Sequence, residues 1–206
     1  MPAGGEGRLV VASLNRAKAR EISGILRDEE LGFEVLSLAD FPEVALPPET
    51  GDTFAANARD KARVAARETG LPAIADDSGL EVDALGGEPG IRSARFAGEG
   101  ASDEDRYRKV LDLMRDVPDG GRGARFRCAA AFAAPDGEEV LAEGVCEGHI
   151  ARQPAGTGGF GYDPIFVPEG HTCTMAELAA EEKHAISHRG RALRRLARLL
   201  RERGGG

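Results

Sequence analysis

The chain reads as an α/β protein, and three observations carry that reading. Its 206 residues, 41% of them hydrophobic, are enough for one α/β domain or two small lobes sharing a core. Apolar runs of strand length and segments of helical period follow one another along the first eighty positions. Two long strand-like segments around "PDGE" then read as an antiparallel hairpin.

Residues 8 to 13, "RLVVAS", read as a buried strand that stops at small polar residues. A helix follows, with Ile22, Ile25 and Leu26 as its apolar face and Ser13 or Asn15 as its cap. "FEVLSL", residues 33 to 38, alternates like a strand, and the Pro-rich loop "PEVALPPETGD" leads to a second helix. Thr53 or Asp52 opens that helix and Gly70 closes it, so Asn57 and Lys61, four apart, share a face. A third strand ends at Asp76-Asp77, followed by "LEVDAL" and a glycine-rich loop to about Gly100. Ser102 with Asp105 predicts a capping box, and Tyr107, Val110, Leu111 and Met114 mark the buried side of the third helix. After the hairpin, Thr174 with Glu177 predicts the cap of a short helix and Ser187 that of the last one, whose Leu193, Leu196 and Leu200 face inward. There is no internal repeat or linker, so residues 1–206 are expected to form a single domain, with 1–7 and 204–206 frayed.

Composition excludes several classes. Apolar runs are far shorter than a membrane span, and "MPAGGEGRLVV" lacks the layout of a signal peptide, so a soluble, cytoplasmic protein without membrane partners is expected. Cys128, Cys146 and Cys173 are widely spaced, which argues against structural zinc and a disulfide framework. A net charge of −8 argues against a nucleic-acid polymer as partner. Of the 27 basic residues only Lys18, Lys61, Lys109 and Lys183 are lysine. Where arginine is the default, a retained lysine marks a need for a compact ammonium.

Four segments carry chemistry. Asp76-Asp77 at a strand end reads as a metal or activated-water site, against the alternative of a solvated turn. "SLNRAKAREI" places Lys18 at a helix start, suited to a phosphate, or is simply a capped helix with a surface lysine. "GTGGFGYDP" is no Walker loop; it offers Phe160 and Tyr162 as rings that stack on a base or belong to the core. "EEKHAISHRG" gathers Lys183, His188 and Arg189 as donors to ligand oxygens. A metal pair at His184 and His188 is disfavoured, because Ser187 breaks the helical face. Arg191 to Arg203 read as the solvated side of the last helix. Three lysines, with the acidic set Glu49, Asp76 and Asp77, describe a polyphosphate held by ammonium groups and a hard divalent cation held by oxygens. A nucleoside triphosphate fits them all.

These segments, with "ETGDTFAANARDKA", "IADDSGLEVDALGGEPGIRSARFAG" and "PAGTGGFGYDPIF", resemble the inosine triphosphate pyrophosphatase family, which acts on nonstandard purine nucleotides such as dITP and XTP. The matches run in the family's order over nearly all the chain after residue 8. The resemblance implies an elongated α/β fold, a long mixed sheet with flanking helices, two lobes around a central cleft, Mg²⁺ as cofactor and a homodimer. It implies hydrolysis between the α- and β-phosphates to the monophosphate and pyrophosphate. Carried over, Ser13, Asn15 and Lys18 would bind the triphosphate; Glu49, Asp77 and Asp76 form the metal end, with Asp77 the proton acceptor for water. Asn57, Lys61 and Ser78 support the same end, Phe160, Gly161, Tyr162 and Asp163 form the base loop, and Lys183, His188 and Arg189 complete the substrate contacts. Two departures stand out: "SLN" replaces Thr-Gly-Asn or Thr-Asn-Asn, and "EGHTCTMAEL" matches loosely. The rival readings are a pyrophosphatase of septum-formation-inhibitor type, acting on pyrimidine or modified nucleotides, and a nucleotide sensor without turnover. His188-Arg189 and the glycine loop favour the purine reading, and the carboxylates disfavour the sensor.

Overall fold

The computed structural model describes residues 7–29 and 31–204. The fraying expected at both ends lies, for residues 1–6, 205 and 206, outside the described residues. Strands β1 (Gly7–Val11), β2 (Phe33–Ser37), β3 (Ala73–Val82), β4 (Gly123–Ala133), β5 (Glu139–Ile150) and β6 (Phe166–Pro168) form one sheet in the order β2-β1-β3-β4-β5-β6. The sheet is mixed, as expected: β1 runs parallel to β2 and β3, and β6 pairs antiparallel with β5. The helices are α1 (Arg16–Asp28), α2 (Phe54–Thr69), α3 (Asp103–Leu113), α4 (Ala180–Ile186) and α5 (His188–Gly204). None of the described helices is long and apolar enough to cross a membrane.

The chain divides into two compact units. The first comprises Met1–Asp77, Cys128–Gly144 and Arg189–Gly206. Successive residues of a strand point to opposite faces, and here that alternation sorts the core. Leu9, Val11 and Ile74 pack with Ile22 and Ile25 of α1 and Leu193 and Leu196 of α5. Val10, Ala73 and Ala75 pack with Ala58, Ala62 and Ala65 of α2. The small alanine side chains on both partners bring α2 close to the strands. Thr53 caps α2, its Oγ1 accepting from Ala56 N at 3.1 Å, and Gly70 ends it in the left-handed region at φ 67°.

The second unit comprises Ser78–Arg127 and Val145–His188. Its core joins Leu80 and Val82 of β3, Val110 and Met114 of α3, Phe126, Cys146, Tyr162 and Phe166. Ser102 and Asp105 form the expected capping box of α3. Arg122, 3% exposed, donates to the carbonyls of Ile150, Met114 and Ala151 at 2.7–2.9 Å, which satisfies turn oxygens that water does not reach.

Two expectations are corrected. β3 does not stop at the carboxylate pair but continues through Ser78 and Gly79 to Val82, because alternation resumes with Leu80 and Val82 packed into the second unit's core. Thr174 and Glu177 do bond, Thr174 N to Glu177 Oε2 at 2.7 Å, but they close a turn rather than start a helix. α4 begins at Ala180, with Glu182 reaching back to Ala179 N. His184 and His188 lie on different helices, as the disfavoured metal pair would require them not to.

Candidate active site

In the first unit the candidate residues converge from α1, α2, the loop before α2, and β3. Adjacent in β3, Asp76 and Asp77 point to opposite faces of the sheet. Asp76 continues the row of Ile74 toward α1 and α5: its Oδ2 lies 3.0 Å from Arg189 Nε, 3.7 Å from Lys18 Nζ and 3.8 Å from Cys128 Sγ. Asp77 continues the row of Ala75 toward α2, where Asn57 Nδ2 donates to its Oδ2 at 2.8 Å and Lys61 Nζ is 3.9 Å from Oδ1. Lys61 sits four residues from Asn57 and also bonds Glu49 Oε1 at 2.6 Å and the Asp76 carbonyl at 2.7 Å. One ammonium thus ties the loop, the helix and the strand together.

The charges differ in state. Burial alone would raise the Asp76 carboxyl, but Lys18, Arg189 and Lys61 hold it well below the usual carboxylate range. Asp77 goes the other way: burial, helped by the charge of Glu49, outweighs Lys61 and Lys18 and pushes it up. For Glu49, burial is outweighed by the charge and hydrogen bond of Lys61, and its carboxyl is lowered. Lys61 is buried among three carboxylates, which keep its ammonium raised despite desolvation.

At the start of α1, Asn15 is the cap: its Oδ1 accepts from Ala17 N at 3.0 Å and Lys18 N at 3.1 Å, and Ser13 Oγ donates to the Asn15 carbonyl at 3.4 Å. The cap occupies two first-turn amides and leaves Lys18 and the Asn15 carboxamide nitrogen among the donors this turn offers an anion. Leu14, in the departing "SLN", points into solvent, 76% exposed.

In the second unit, Phe160 N donates to Asp163 Oδ2 at 2.8 Å and Lys183 Nζ to the same oxygen at 2.7 Å. Lys183 Nζ also stands 5.0 Å from the centre of the half-buried Phe160 ring. Tyr162 is turned inward, 4% exposed, its hydroxyl donating to the Ser93 carbonyl at 2.8 Å. A Cβ at Gly159 would collide with the Asp163 carboxylate, and one at Gly156 would lie 2.5 Å from Ala176 C, so the loop closes only with glycine there. His188 is buried and stacks on Phe126 at 4.7 Å between ring centres. Ser78 follows Asp77 in β3, half-buried.

Arg189, expected among the substrate contacts, is 2% exposed, with Nε on Asp76 and Nη1 on Glu21 Oε2 at 2.6 Å. Glu21 went unread in the sequence, although it lies three residues after Lys18 on α1, a spacing that puts both on one side. Cys128, packed against Asp76, has its thiol raised by burial far above the range of a nucleophile. Lys109, the lysine outside the candidate set, bonds the Phe96 carbonyl and stands 4.4 Å over the Phe96 ring. An open hollow of about 350 Å³ lined by Asp83, Arg125, Glu147 and His149 contains none of the candidate residues.

Among the described residues no three His, Cys, Asp or Glu side chains converge as a ligand set. The Ham1 family model matches residues 9–199 of this chain. A Streptomyces coelicolor protein named dITP/XTP pyrophosphatase is 51% identical over 95% of this chain and 98% of its own. A Geobacter sulfurreducens protein of the same name is 53% identical over 90% and 92%. The structure of a HAM1 protein from Coxiella burnetii superposes with a TM-score of 0.84 at 45% identity, covering 95% of this chain and 99% of that one. The resemblance read from five segments is therefore borne out across almost the whole sequence, and the chain belongs to the Ham1 family.

Proposed function

We propose that the protein hydrolyses dITP, ITP and XTP at the α-β phosphate bond, releasing the nucleoside monophosphate and pyrophosphate. The observation that carries this reading is the Lys61 cluster, in which one buried ammonium bridges Glu49 and the Asp76 carbonyl beside the raised carboxyl of Asp77. A carboxylate whose proton affinity is raised by burial is a better proton acceptor for water than an ordinary one. Asn57 fixes the Asp77 Oδ2, so the carboxylate keeps one orientation while Oδ1 faces Lys61. Lys18 and Lys61 set positive charge against the phosphates, where charge shifts during reaction. The names of the relatives support the purine class over a pyrimidine one.

Glu49 and Asp77 would hold Mg²⁺. Two oxygen-only carboxylates, one of them raised by burial and to a lesser degree by the charge of the other, fit an ion that takes one or two carboxylates and completes its shell with water and phosphate. Asp76, on the opposite face of β3, would support this end through its carbonyl, which holds Lys61 in place. When bound, such an ion polarises phosphoryl oxygens and lowers the pKa of water. In the second unit Phe160 is the ring for a base to stack on, and His188 the donor for a 6-keto oxygen. Arg189, buried with Nε on Asp76 and Nη1 on Glu21, has as its share the fixing of Asp76. The homodimer and cytoplasmic setting belong to the same proposal, and light scattering of the purified protein tests the former.

Product analysis tests the reaction. Pyrophosphate and monophosphate from dITP and XTP, little turnover of dATP, and no turnover in excess EDTA are expected. Orthophosphate as first product, equal use of dATP, or full activity in EDTA would each overturn it.

A further inference from the structure

We infer that Asp103, at the start of α3, is a positioning residue that fixes the ring of Phe160 for its base. The inference rests on the reading of Phe160 as a stacking platform and deepens it. The two backbone N–H groups that bracket the Phe160 α-carbon are both held by carboxylates. Phe160 N donates to Asp163 Oδ2 at 2.8 Å, and Gly161 N donates to Asp103 Oδ2 at 2.7 Å. The first tie is local, and the second comes from a residue 58 positions away.

Each of these carboxylates has its own cation. Asp163 has Lys183, and Asp103 has Arg106, whose Nη1 is anchored in turn on the carbonyls of Ala94 at 3.0 Å and Ala101 at 2.7 Å. Arg106 therefore pulls the Asp103 carboxylate to a fixed place, and the carboxylate pulls the Gly161 amide. Gly161 sits at φ 64° with nothing within 4 Å of where a Cβ would be. A glycine there is free to leave this conformation, so a hydrogen bond to its amide restrains the loop. A charged acceptor is the stronger kind. Without Asp103 the loop loses this long-range tie next to Phe160, and more of the ordering of the ring falls to the incoming nucleotide.

The test is steady-state kinetics on dITP for the parent, D103A, D103N, E104A, F160A and D103A/F160A, with amide hydrogen exchange of residues 158–163 in the nucleotide-free proteins. D103A is expected to raise KM by roughly tenfold with kcat nearly unchanged, since an ordering penalty is added to binding alone. D103N, whose carboxamide oxygen still accepts from Gly161 N, should recover most of the loss. E104A removes an exposed charge one residue away and should behave as parent. D103A should add nothing in the F160A background, and exchange at Phe160 and Gly161 should quicken in D103A while the rest of the unit stays protected. Unchanged KM and exchange in D103A, a loss that multiplies with F160A, or a fall in kcat with general loss of protection would each overturn the inference. If the parent does not turn over dITP, the base-stacking role falls with the proposed function, and exchange alone decides the tether.

Discussion

In the first unit the chemistry-bearing side chains are themselves core: Asn57, Lys61, Asp76, Asp77 and Arg189 are all at most 7% exposed, and each is held by a partner from another element. In the second unit Phe160 rides on a glycine loop, and it is the backbone beneath it that is pinned. The first arrangement couples chemistry to folding at Lys61, Asp76 and Arg189, because removing a paired buried charge strands its partner; Asp77, whose charge burial disfavours, stands apart. The second uncouples them, since a half-exposed ring is lost without opening the core. The contrast predicts opposite mutational signatures.

The largest effect is expected at Asp77. D77N should lower kcat by about 10²- to 10⁴-fold, the usual contribution of a positioned base. Its stability at neutral pH should not fall. The folded-state pKa of Asp77 is raised, so ionisation opposes folding, and stability is lost as pH rises from near 4 through that pKa. Removing the charge lifts this penalty, and urea unfolding at pH 7 should give a midpoint at or above the parent's. A clear fall in midpoint would place Asp77 with the structural charges.

Asp76, one position earlier, should behave oppositely. D76N leaves Arg189 and Lys18 short of a counter-charge and should destabilise by about 3–5 kcal/mol. The pKa of Asp76 is depressed, so its stabilisation is present above pH 4 and fades as pH falls through its folded value. The gap between parent and D76N in urea should therefore narrow in acid, and a gap independent of pH would sink the ion-pair account.

In the second unit F160A should raise KM for dITP by roughly tenfold, the worth of one stacked base, with no loss of midpoint. A fall in stability instead would make Phe160 core. The smallest effect is expected from T53A, which removes the α2 cap and should lower stability by about 1 kcal/mol while kcat stays near the parent's. A large fall in kcat would mean that α2 does not carry Asn57 and Lys61 as a rigid unit.

Much of this was legible in advance, and for local reasons. Caps gave the starts of α1, α2 and α3, because Asn15, Thr53 and Ser102 act within three or four residues. The scarcity of lysine pointed to three side chains that each hold a carboxylate. What escaped was set at long range. Ser78-Gly79 reads as a turn until Leu80 and Val82 are seen in a core. The burial of Arg189 depends on Asp76 and Glu21, 113 and 168 positions away. The Asp103 tie to Gly161 has no periodic signature at all, and Thr174-Glu177 shows that a capping pattern can close a turn instead.

Two of the four chain borders between the compact units fall between Asp77 and Ser78 and between His188 and Arg189. These two cut the candidate-site motifs "ADDSG" and "SHRG" through their middles. Recombination that followed the units would thus hand Asp77 from one parent a Ser78 from another, and split His188 from Arg189. A library built from this protein and its relatives should place its crossovers in loops away from both borders, such as 134–138, where "APDGE" turns between β4 and β5. The unit of exchange is the intact motif, not the compact body.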